Sequence, residues 1–345
     1  MKPVFYHCIS RVVDRRFVLG TEEKEKFRAL MRIYEKFTGC RVTAYCLMDN
    51  HFHILLEVPP MAGAGLPDGE LLKRLSAIYS EAFVAVVAKE LADSRRDGVE
   101  ARVAEIHQRF TYRMHDLGEF MKGVLQRYTQ WHNRAHSRTG RLWEDRFKSV
   151  IVEDGVAART MAAYIDLNPV RAGMVKEPAD YRWSSYGEVI GGGSKCHGKT
   201  ARAGLVRAWG AHQGVAADAD LWAGEVSRAY RKLLMGNAVE KTGESVGRDG
   251  KVVQRTMRKG ISKPEGEAER VRDVELPFAK MLRRRIRYFT DGAVIGSRMF
   301  VDEAFARSRM RFGAKRKSGA RRMRGQAAMA GTALWSLRDL KKALG

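Results

Sequence analysis

A chain of 345 residues with 45% hydrophobic and 30% charged side chains has the balance of a globular protein, long enough for one large or two modest domains, and two are expected. Its 63 Lys and Arg against 40 Asp and Glu leave a formal charge of +23, which calls for a polyanionic partner and favours nucleic acid over a membrane surface. With no run of ~20 apolar residues, no secretory apolar core in MKPVFYHCISR and no CxxC pair among Cys8, Cys40, Cys46 and Cys196, a soluble cytoplasmic protein with reduced thiols is expected.

Val4 to Val12 reads as a strand rich in β-branched and aromatic residues, followed by a loop from Val13 to Gly20. Thr21 stands as a helix N-cap, and Phe27, Leu30, Met31 and Tyr34 recur at helical spacing up to a stop at Gly39. Two strands, Arg41 to Leu47 and Phe52 to Val58, are joined by the turn residues Met48-Asp49-Asn50. A β-α-β-β order results. Pro59 to Asp68 is a linker. Gly69 to Ala92 and Leu117 to His132 have helical periodicity, and the charged stretch from about 93 to 113 reads as an insertion between them. Arg146 to Val152 reads as a further strand and Gly155 to Leu167 as a helix closed by Asn168-Pro169.

These elements make a first domain over residues 1–186. Residues 187–268 read as a linker and helical connection, broken at Gly191-Gly192-Gly193-Ser194 and polar and mobile over 237–268. Residues 269–345 read as a basic, mainly helical extension. There the patterns Phe278 to Phe289 and Arg298 to Phe312 flank Thr290-Asp291-Gly292, which is compatible with a helix-turn-helix. From Lys251 to Gly345 there are 25 Lys and Arg against 9 Asp and Glu, so this last part carries most of the excess charge.

In Asn50-His51-Phe52-His53, strand alternation puts both imidazoles on one face and Phe52 on the other. Tyr164 and Asn168 stand at i and i+4 on one helix face, so a hydroxyl and an amide oxygen point together. Taken alone, the histidines read as half-exposed strand residues, and Tyr164 as a core aromatic. Tyr128, near Gln126 and Arg127, is the rival nucleophile, but it lacks the Asn-Pro-Val that follows Tyr164.

The strand, helix and paired strands ending in His-Phe-His, the segment Tyr164-Ile165-Asp166-Leu167-Asn168-Pro169-Val170 and the segment Gly140-Arg141-Leu142-Trp143-Glu144-Asp145-Arg146-Phe147 together resemble the REP-associated tyrosine transposases, a group of HUH single-strand DNA transposases. The resemblance covers about Lys2 to Tyr186. It implies an α+β, ferredoxin-like (RRM-like) HUH domain with a central antiparallel sheet, acting in the bacterial cytoplasm at the nucleoid. It further implies His51, His53 and Asn168 as ligands of a divalent metal, Mg²⁺ or Mn²⁺, and Tyr164 as the nucleophile that forms a 5′-phosphotyrosine link to hairpin-forming single-stranded DNA. Asp166 stands where many relatives carry a histidine, which puts a carboxylate near the expected phosphate or metal.

Such chemistry suits these residues. A phenol with an ordinary pKa near 10 is a weak nucleophile that gains from a nearby cation, and two imidazoles with one amide leave coordination positions open to phosphate. Arg138, Arg141, Trp143, Arg146 and Lys148 mix cations and an aromatic in a manner suited to phosphate contact and base stacking. Arg283, Arg284, Arg285, Lys315, Arg316, Lys317, Arg321 and Arg322 form denser basic clusters for DNA. The expected protein is a monomer or homodimer bound to hairpin DNA. A non-cleaving regulator that binds DNA or RNA hairpins is the alternative, and a replication-initiation or conjugative nicking enzyme a third, although no GxxxxGK[ST] loop is present.

Overall fold

The computed structural model describes residues 2–61, 63, 65–192, 196–210, 214, 219–222, 224–238, 241–246, 252–258, 289–290, 292–322 and 333–337. The chain divides into two units, one comprising residues 1–4, 11–42 and 56–147 and the other residues 5–10, 43–55 and 148–345. Strands β1 (Val4–Arg11), β2 (Arg41–Leu47) and β3 (His51–Val58) contribute residues to both.

The first unit is helical: α1 (Thr21–Thr38), α2 (Asp68–Leu75), α3 (Glu81–Arg96), α4 (Glu100–Thr111) and α5 (Leu117–Ala135). Helix α1 begins at the expected cap itself, because Gly20 is the N-cap and Thr21 is already helical; it stops as expected at Gly39, in the left-handed region with φ 71. The charged insertion is helical as well. Val103, Ile106 and Phe110 recur at spacings of three and four and are buried, a stripe that the surrounding Arg and Glu residues obscure in the sequence.

The second unit contains a seven-stranded sheet in the order β2-β3-β1-β4-β7-β9-β8, completed by β4 (Lys148–Val152), β7 (Val294–Gly296), β8 (Arg321–Arg322) and β9 (Trp335–Leu337). Its first four strands have the 4-1-3-2 order of the ferredoxin-like arrangement. Strand β4 lies antiparallel to β1, with His7 opposite Val150, and parallel to β7. The C-terminal segment therefore continues the sheet beyond β4. Among the described residues, the extension read as helical consists of β7, α11 (Arg298–Arg307), β8 and β9. Because β7 intervenes between Gly292 and α11, the stretch just ahead of α11 is a strand and not the turn of a helix-turn-helix; most of the pattern Phe278 to Phe289 lies outside the described residues.

Helix α6 (Val156–Asp166) is buried nearly all round, including Ala157, Ala158, Met161, Ala162, Ala163 and Ile165. Small alanines let other elements approach it closely, and the same core holds Val150 and Val152 from β4, Leu205 and Val206 from α9 (Cys196–Gly210), and Tyr230, Leu233 and Leu234 from α10 (Glu225–Ala238). The stretch read as a linker thus supplies helices to the α6 core. Residues 237–268, read as a mobile connection, contain the antiparallel pair β5 (Lys241–Val246) and β6 (Val252–Arg258). Ladder pairing satisfies backbone groups without any apolar period, so the polar composition concealed it.

Candidate active site

Gly155 turns the end of β4 into α6 with φ 73 and ψ −123, a conformation open to glycine and strained for other residues. Two turns later α6 presents Tyr164 toward the sheet. Its ring centroid is 6.0 Å from that of His53 on β3 and 6.1 Å from that of His7 on β1, both edge-on. His51 and His53 have centroids 5.1 Å apart. The histidine pair and the tyrosine, 111 positions apart between His53 and Tyr164 in sequence, therefore meet in one unit of the fold.

The hydrogen bonds define which ring nitrogens carry protons. His51 Nδ1 lies 2.7 Å from Asn50 Oδ1, an acceptor, so His51 donates from Nδ1. His7 Nδ1 donates to the Phe289 carbonyl at 2.8 Å, and His7 Nε2 lies 3.0 Å from His53 Nδ1. Burial pushes the His7 pKa down to about 4, so the ring is neutral near pH 7. A metal bound through Nε2 at ~2.1 Å lies ~3.2 Å from a ring centroid, so two imidazoles sharing one ion at about 100–110° have centroids roughly 5 Å apart. The 5.1 Å between His51 and His53 is compatible with that spacing, as is the 5.1 Å between His7 and His53. Among the described residues no group of three or more His, Cys, Asp or Glu is arranged to hold a metal.

Asn168 begins the short helix α7 (Asn168–Arg171), and its Nδ2 donates back to the Tyr164 and Ile165 carbonyls at 3.3 and 3.1 Å. Its Oδ1 accepts from Arg171 at 2.9 Å, and an amide oxygen has a second lone pair for a metal. Arg171 also donates to the Tyr164 carbonyl and holds its guanidinium 4.2 Å from the phenol ring centroid. Phe289 stacks on the same phenol at 4.6 Å and 17°. Tyr164 is consequently only 1% exposed.

His7, Arg171 and Phe289 are the site residues that the sequence reading missed. Strand alternation in Val4 to Val12 marks the face on which His7 lies, and Arg171 follows Tyr164 by two helical turns. No signal points to Phe289, which meets the site from 125 residues beyond Tyr164. Asp166 requires a correction. Two residues along a helix turn by ~200°, so Asp166 faces away from Tyr164 and from the expected phosphate. It is fully buried, accepting from the Tyr186 N–H at 3.0 Å and the Tyr230 O–H at 2.6 Å. Burial pushes its pKa up to about 7 despite these donors. Tyr128, the rival nucleophile, lies in the other unit, buried against Phe27, Trp131 and Trp143, with its phenol pKa raised by burial.

Residues 2–65 match the family model of IS200-like transposases. The matched segment carries β1, α1, β2 and β3 with His7, His51 and His53, and ends before Tyr164. Among solved structures, one described as a REP-associated tyrosine transposase bound to a REP hairpin aligns at 14% identity and a TM-score of 0.36, over 57% of this chain and 85% of that one. No curated protein matches the chain.

The residues expected to meet DNA differ in availability. Arg141, Arg146 and Lys148 are exposed and Arg138 is half-buried. Trp143 is held in place, donating from Nε1 to Thr129 at 3.0 Å and packing on Tyr128 and Phe27. Lys315, Lys317, Arg321 and Arg322 are exposed, whereas Arg316 lies half-buried with its guanidinium 4.6 Å from the Phe312 ring centroid. Arg283, Arg284 and Arg285 lie outside the described residues. Among the described residues no helix is long and apolar enough to cross a membrane.

Proposed function

We propose that this chain is a DNA transposase that cleaves and rejoins single-stranded, hairpin-forming DNA through Tyr164, with a divalent metal held by His51, His53 and Asn168. The observation that carries this reading is the approach of Tyr164, on α6, to within 6.0 Å of His53 between ring centroids. The transposase family match in residues 2–65 supports the DNA-processing class.

In this mechanism the Tyr164 oxygen forms a bond to phosphorus and the bond from phosphorus to the 3′-oxygen breaks. The phenol proton passes to solvent, and the departing 3′-oxygen takes one up. The products are a 5′-phosphotyrosine and a free 3′-hydroxyl, and attack by a 3′-hydroxyl on the link rejoins the strand with no external energy source. Mg²⁺ or Mn²⁺ bound here polarises the scissile phosphate. Arg171 holds its guanidinium 4.2 Å from the phenol ring centroid and steadies the ring by a cation–π contact. The Tyr164 and Ile165 carbonyls hold the Asn168 amide in place.

The test is incubation with single-stranded hairpin DNA from the flanks of the gene, with Mg²⁺ or Mn²⁺, and detection of a covalent adduct. Tyr164→Phe is expected to abolish the adduct, and His51→Ala or His53→Ala to lower its yield sharply at the same metal concentration. An adduct formed equally by Tyr164→Phe excludes Tyr164. A second reading, a hairpin-binding regulator without cleavage, is favoured by the burial of Tyr164 beneath Phe289. Tight hairpin binding with no adduct for wild type identifies it.

A further inference from the structure

His7 takes no part in the chemistry above, yet it is fully buried on β1, the strand beside β3, and directly contacts His53. Its role follows from proton counting. The Phe289 carbonyl can only accept, so His7 Nδ1 donates to it, and full burial disfavours a second proton on the ring, which leaves Nε2 as the acceptor. At 3.0 Å from that nitrogen, His53 Nδ1 must be the donor. With Nδ1 donating, Nε2 is the ring nitrogen of His53 on the side away from His7, as it is the nitrogen of His51 on the side away from Asn50.

We propose that His7 is a positioning residue that fixes the tautomer and orientation of His53, so that His53 Nε2 is presented as a metal ligand. This inference rests on the reading of His51 and His53 as ligands. Orientation is fixed as well as protonation, because the two rings stack with centroids 5.1 Å apart and an interplanar angle of 18°. A ligating histidine commonly gives its second ring N–H to a carboxylate, carbonyl or water. Here that role belongs to another imidazole, which passes the demand for a proton acceptor to a main-chain carbonyl 282 residues away in sequence. The metal geometry is thereby tied to the C-terminal segment.

The experiment uses the full-length chain as wild type, His7→Leu, which removes the acceptor, and His7→Gln, whose side-chain oxygen can replace it. Long-range ¹⁵N–¹H correlation spectra of the metal-free protein read the His53 tautomer, and titration with Mn²⁺ alone reads affinity. Wild-type His53 is expected to carry its proton on Nδ1. His7→Leu is expected to shift it toward Nε2 and weaken Mn²⁺ binding about 10- to 100-fold, with His7→Gln restoring most of the loss. A wild-type His53 protonated on Nε2 overturns the proposal without any variant, so it stays testable if His7→Leu does not fold. Mn²⁺ binding that depends on His53 but is unchanged in both His7 variants overturns this inference alone. Failure of wild type to bind Mn²⁺ overturns the metal reading and this inference together.

Discussion

At the scale of single residues, the two sides of α6 have different chemistry. Tyr164 faces imidazoles and a guanidinium, whereas Asp166, two positions on, is buried against Tyr186 and Tyr230. The Asp166 pKa rises from 3.8 to about 7, so between these values the native chain keeps a proton that the unfolded chain has released. Its contribution to stability is full below about pH 4 and is lost as pH rises through about 7. At ~1.4 kcal/mol per unit, the loss is at most about 4 kcal/mol. Asp166→Asn is expected to flatten this dependence, read as the difference between the two proteins in urea unfolding from about pH 4 to pH 8. Parallel pH profiles for the variant and wild type contradict the assignment. The same substitution is expected to leave Mn²⁺ affinity unchanged, because Asp166 faces away from the histidines.

At the scale of elements, α6 depends on how it is entered and on what covers it. Gly155, with φ 73, makes the entry from β4, and a Cβ there strains the backbone. Gly155→Ala is expected to cost about 1–3 kcal/mol and to lower adduct formation more than its stability loss explains, since it tilts the helix that bears Tyr164. Thermal unfolding and adduct yield, compared below the melting transition, check both parts. A loss of stability with unchanged adduct yield restricts Gly155 to a folding role. The cover includes α9 and α10 as well as Phe289, so residues beyond 186 share one core with the helix that bears Tyr164.

At the scale of the whole molecule, the excess positive charge is concentrated after residue 250, and Lys315, Lys317, Arg321 and Arg322 are exposed there. If these side chains meet phosphate on the paired stem of a hairpin, each lost contact reduces the slope of log affinity against log salt by about 0.9. Replacing all four by Gln is expected to lower that slope by roughly 3–4 while leaving metal affinity unaltered. Fluorescence anisotropy with a hairpin over a range of salt measures it, and an unchanged slope removes these four residues from the DNA interface.

The sequence by itself determined the β-α-β-β order, the α1 stop at Gly39, the alternation that pairs His51 with His53, and the i, i+4 relation of Tyr164 to Asn168. Each depends on near neighbours and the fixed periods of strand and helix. The 4-1-3-2 strand order entered only through the family resemblance. The tertiary structure alone decided that β7 extends the sheet beside β4, that α9 and α10 share the α6 core, that Asp166 is turned away from the site, and that His7 and Phe289 reach His53 and Tyr164. Those relations join residues from 20 to 282 positions apart, and they arise from burial and from satisfying particular donors and acceptors, which no local period records. Thus the histidine pair was legible in four consecutive residues, whereas the hydrogen-bond chain from His53 through His7 ends on the Phe289 carbonyl, near the other end of the chain.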